Sequence, residues 1–104
     1  MKLRSTMAFL IAFGVTGSAA AFDCPNRFKS AEASIDAATK AMEGMSDENQ
    51  KKQVHMLIDD AKMLLHGAIH NHEKPQHKLD HARSMAKADS AKAYADAAAV
   101  LATK

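Results

Sequence analysis

The chain of 104 residues has no tryptophan, one tyrosine and four phenylalanines, so only 5% of it is aromatic. The aromatic and β-branched content of a β-sandwich or barrel is missing. Four glycines and two prolines exclude a collagen-like or Pro/Gly-rich chain. They also leave no glycine-rich loop to cradle phosphates. A single cysteine, Cys24, excludes an internal disulfide framework. The haem-attachment pattern C-x-x-C-H and the metalloprotease pattern H-E-x-x-H are both absent. The length has no room for a dinucleotide-binding or (β/α)8 enzyme domain. No Ser/His/Asp arrangement can be argued from the sequence, because a triad is recognised by geometry. The expectation is a non-enzymatic protein of one small domain.

The first 21 residues read as a secretory signal. Lys2 and Arg4 give a positive start, Met7 to Val15 a short apolar run, and Ala19-Ala20-Ala21 a small-residue cleavage site. The run is too short to span a bilayer comfortably. Phe22 and Asp23 are not the small apolar residues expected before a lipidated cysteine. Residues 22–104 are therefore expected to be periplasmic or secreted, with no membrane attachment after cleavage. Of the 14 basic residues, two leave with the signal, so the remaining 12 balance the 12 acidic ones. A near-neutral chain carries no electrostatic footprint for nucleic acid.

What remains is rich in alanine and patterned for helices. In the first helix, about Phe28 to Met45, the apolar positions Phe28, Ala31, Ile35, Ala38, Met42 and Met45 form an a/d seam. Gly44 marks its end, and Ser46 and Asp47 offer caps for the next helix. The second helix runs from about Asp47 to His70, with Val54, Leu57, Ala61, Leu64 and Ala68 on one stripe. Ile58, Leu65 and Ile69 widen that stripe. Asn71 to Lys74 reads as a polar connection, and Pro75 as the first turn of a third helix reaching about Ala102. Its expected core stripe is Leu79, Ala82, Ala86, Ala93, Ala97 and Val100 or Leu101, with Tyr94 at the edge. Short connections imply antiparallel neighbours. The predicted fold is all-α, an up-down helical hairpin with a third helix packed on it.

The histidines carry the functional signal. Five of six fall between residues 66 and 81: His66, His70, His72, His77 and His81, with Glu73 and Asp80 among them. Imidazole and carboxylate suit Cu(II), Ni(II) and Zn(II). His66/His70 and His77/His81 are spaced i, i+4, which puts both rings of a pair on one helix face. On the second helix, His55, Asp59, Met63, His66 and His70 form a stripe opposite the apolar one, flanked by Met56. The helical histidines, His77 and His81 included, are thus expected to be exposed. They converge only near the second turn, where His70, His72, His77 and Glu73 make the best expected site. The two i, i+4 pairs make weaker ones. His55, Asp59, Met63 and Glu73 are possible additional ligands. The bland alternative is that these residues are ordinary solvated surface. Cys24 is left with three roles: pairing with another molecule, binding metal, or lying buried and inert. Its distance in sequence from the histidines argues against the metal role.

The segment LLHGAIHNHEKPQHKLDHARSMAKA, with His66, His70, His77 and His81 spaced by 4 and 7, resembles the small His-rich metal-binding proteins of the bacterial periplasm. The resemblance implies a helical bundle that buffers or scavenges divalent metal, copper prominently. It covers about 40 residues. The first helix has no histidine, which departs from that pattern and implies fewer bound ions. Copper is therefore expected ahead of nickel or zinc. The rival expectation is a helical interaction module that binds a protein partner through Met56 and Met63 or forms a homodimer through Cys24.

Overall fold

The computed structural model describes residues 23–103, so the expected signal segment lies outside the described residues. Three helices follow one another: α1 (Cys24–Glu43), α2 (Glu48–Glu73) and α3 (Lys78–Ala102). They pack against one another, with no strands among the described residues, as an all-α three-helix bundle.

Helix α1 starts four residues earlier than its apolar seam suggests. Pro25 stands in its first turn, where a fixed φ helps and a missing N–H costs nothing. The Asn26 amide donates to the Asp23 carboxylate at 2.7 Å beside it. The helix ends at Gly44, whose N–H reaches the Ala41 carbonyl at 3.2 Å in a tightened last turn. Asp47 then caps α2, its Oδ1 accepting from the N–H groups of Asn49 and Gln50 at 3.0 and 3.2 Å. Helix α2 continues three residues beyond His70, so His72 and Glu73 are helical. Pro75 lies in the connection and not in the first turn of α3, which opens at Lys78.

The core is small. Ala31, Ile35 and Ala38 of α1 meet Val54, Ile58, Ala61 and Leu65 of α2 and Ala91, Ala95 and Ala98 of α3. Phe28, Met42, Met45, Leu57, Leu64 and Ile69 close its margins. On α1 and α2 the buried face is the one the periodicity indicates. On α3 it is not. The buried positions are Asp80, Ser84, Ala88, Ala91, Ala95 and Ala98. Leu79 and Val100 are 49% and 55% exposed, and Ala82, Ala86, Ala93 and Ala97 also face solvent.

Two polar side chains explain the rotation. The Ser84 hydroxyl donates to the Ala68 carbonyl of α2 at 2.7 Å, which satisfies it inside the interface. The Asp80 carboxylate accepts from the N–H groups of Gln76 and His77, at 2.6 and 3.4 Å, and locks the start of α3. The Gln76 N–H holds the Asp80 carboxyl below its ordinary value, against the opposing effect of burial, and the His77 N–H and the charges of His77 and Arg83 act in the same direction. An Arg27–Asp89 ion pair then fixes α3 against α1. Each connection is only four residues long, so α1 and α3 run in the same direction and α2 against them. The start of α1, the end of α2 and the start of α3 consequently meet at one end of the bundle.

Candidate metal centre

At that end three ligand-bearing side chains converge, one from each helix. Cys24 is the first residue of α1 and is fully buried. His72 lies in the last turn of α2, and His81 in the first turn of α3. One donor atom from each residue lies within 4.8 Å of the other two. Among the described residues this is the one such group of three or more His, Cys, Asp or Glu side chains. Donors around an ion at metal–ligand lengths of about 2.0–2.3 Å stand roughly 3.5–4 Å apart, so closure onto an ion asks for a contraction of about an ångström.

The surroundings hold the donors in place. The His72 ring stands edge-on to Phe28, with centroids 5.5 Å apart and planes at 80°. It stands edge-on to His81 as well, at 5.9 Å and 73°. His72 Nδ1 is buried and has no hydrogen-bond partner within the protein. A buried polar atom left in this way costs free energy unless something takes its lone pair or proton. The Cys24 thiol donates to the His81 backbone carbonyl at a long 3.9 Å. The N-terminal end of a helix favours negative charge and the C-terminal end favours positive charge. A thiolate at the start of α1 and a cation beside the last turn of α2 both match that polarity.

The other expected ligands are distributed differently. His55, Asp59, Met63, His66, His70, Glu73 and His77 are all exposed. His70, His77 and Glu73 do not join His72 in a group of three ligands within reach of one ion. His66 and His70 share an open surface groove of about 470 Å³ with Lys62, Met63, Gly67 and Lys87. Two ammonium groups there oppose the binding of a cation. His55 Nδ1 lies 3.7 Å from the Asp59 carboxylate, one turn on, as an exposed pair. His77 caps α3 and directs its backbone N–H to Asp80. His81 is the exception to the expected exposure: it is half-buried, because the inner face of α3 is rotated from the one its periodicity suggests.

Sequence reasoning therefore found His72 and His81 but placed them in different sites, and it set Cys24 aside. The signal that finds Cys24 is the up-down topology. With three helices of similar length, the start of the first must lie beside the second turn. The burial of Cys24 also bears on the homodimer expectation, since a disulfide between two chains would require this end of the bundle to open. No helix among the described residues is long and apolar enough to cross a membrane. Comparison with protein-family models, with curated proteins and with solved structures finds no match for this chain.

Proposed function

We infer that the protein binds a transition metal ion and buffers or carries it in an exported compartment, with copper ahead of nickel or zinc. The observation that carries this reading is the convergence of Cys24, His72 and His81, from three helix ends, to within 4.8 Å. Residues far apart in sequence gather a thiol and two imidazoles beside a buried imidazole nitrogen without a partner. A thiolate with two imidazoles is a donor set for copper or zinc. The exposed His66/His70 and His77 serve as secondary, weaker loading positions.

The test is a titration of the purified, reduced protein with Cu(I), Cu(II), Ni(II) and Zn(II), beside Cys24→Ser, His72→Ala and a triple His66→Ala, His70→Ala, His77→Ala variant. One equivalent of ion binds tightly to the wild type and to the triple variant. Either single substitution weakens that binding by 10-fold or more, on the order of 1.4 kcal/mol at least. Binding that survives both single substitutions and disappears in the triple variant moves the site to the outer helix faces. Equal, weak binding by all four proteins ends the metal reading.

A further inference from the structure

We propose that the ion held by Cys24, His72 and His81 is Cu(I), and that Met85 supplies a thioether as its fourth donor. This inference rests on the metal reading above and specifies its ion.

The argument starts from the contact between Cys24 and α3. The Cys24 thiol meets the backbone carbonyl of His81. In an α-helix the carbonyl of residue i takes the N–H of residue i+4. The carbonyl that Cys24 touches therefore belongs to the turn that Met85 closes. Sγ lies against the stretch of α3 from His81 to Met85, and not beyond its N-terminal end. Met85 also stands four residues after His81, on the same face, and is half-buried. Helical side chains lean back toward the N-terminus. Methionine has three rotatable bonds and adapts its path to its surroundings. The Met85 side chain is thus directed from the following turn toward the place where Cys24 and His81 meet.

The side of α3 is consistent with this. Arg27 of α1 pairs with Asp89, one turn after Met85, so α1 covers this flank of α3. Lys87, on the opposite flank, lies over Gly67 of α2. Met85 accordingly belongs to the interface with α1, which begins at Cys24. Phe28 against His72 shields the side facing the core.

The chemistry then separates the ions. Zinc takes thiolate, imidazole and carboxylate, and its protein sites do not use thioethers. Thioether and thiolate sulfur together favour Cu(I). Among the described residues no carboxylate joins the cluster, which would be the harder alternative fourth donor. A sulfur-rich set of two sulfurs and two imidazoles follows, soft on one side and buried on the other.

The experiment compares wild type, Met85→Leu and Cys24→Ser. Cu(I) affinity is read by competition with a chromophoric Cu(I) chelator under anaerobic, reducing conditions, and Zn(II) affinity by competition with a zinc indicator. Leucine conserves volume, and far-ultraviolet circular dichroism reports whether the bundle persists. Met85→Leu is expected to weaken Cu(I) by about tenfold and to change Zn(II) by less than about twofold, while Cys24→Ser weakens both. Selenomethionine-labelled wild type supplies a second readout that needs no substitution: X-ray absorption at the copper edge shows a selenium neighbour, and labelled Met85→Leu loses it. No selenium neighbour in the loaded wild type overturns the assignment. So does an equal loss of Cu(I) and Zn(II) in Met85→Leu. If wild type and Cys24→Ser bind both ions equally weakly, it is the metal reading itself that fails.

Discussion

Ser84 is a polar residue with no access to solvent, and its hydroxyl donates to the Ala68 carbonyl at 2.7 Å. That bond ties the end of α2 to the start of α3 next to the candidate centre. Replacing Ser84 with alanine removes the donor but leaves a helical carbonyl that still has its own intrahelical partner. The expected cost is therefore that of one net hydrogen bond, about 1 kcal/mol, read as a lower midpoint in urea with an unchanged slope. Ser84 also marks where residue-level reading ran out. Serine and aspartate are ordinary surface residues by type, and nothing in their identity says that Ser84 and Asp80 face inward. Cys24 is a similar case. Its burial follows from where the two connections bring the chain back, and that is not a property of the cysteine or of its neighbours in sequence. His72 was legible as a ligand by type, but its direction depended on the three extra residues of α2.

At the scale of the element, α1 and α2 each carry a single apolar stripe, and the periodicity of the sequence picks it out. Helix α3 carries two. Leu79, Ala82, Ala86, Ala93, Ala97 and Val100 repeat at helical spacing and face solvent. Ala88, Ala91, Ala95 and Ala98 repeat at the same spacing and face the core. Alanine is nearly indifferent between the two environments, so hydropathy alone favours the stripe that contains the larger Leu79 and Val100. Packing decides the other way, because methyl groups let the α3 backbone approach both partners closely. The two faces make opposite predictions for one chemical change. Ala91→Leu forces a larger side chain into a closed interface and is expected to destabilise by about 1–3 kcal/mol. Ala93→Leu adds the same atoms on the exposed face and is expected to stay within about 0.5 kcal/mol of wild type. Thermal unfolding of the pair separates the two orientations of α3, and equal destabilisation would contradict the observed face.

For the whole molecule, the all-α class, the number of helices and the up-down order were all legible, because short polar connections between amphipathic segments leave few arrangements. The candidate centre was not, because it depends on three chain positions that only the assembled bundle makes neighbours. Its occupancy has a global consequence. The fully buried side chains are small, with Ile58 and Val54 the largest, so the core alone supports a modest stability. An ion bound only by the folded state, at a free concentration one hundred times its dissociation constant, adds about 2.7 kcal/mol. Unfolding temperature is expected to rise with added Cu(I) in wild type and to be insensitive to it in Cys24→Ser, by differential scanning calorimetry under reducing conditions. A rise of equal size in both proteins would place the stabilising ion elsewhere.

The meeting of the two helix starts and one helix end also changes what the unfolded chain can explore. Cys24 and His72 are separated by roughly fifty residues, and closing a loop of that length in the denatured ensemble removes conformational freedom amounting to about 4 kcal/mol in the chain-entropy description. A lone cysteine cannot staple this chain to itself. Joined through an ion to His72 and His81, it becomes one leg of a three-way cross-link that the supply of metal can make or undo.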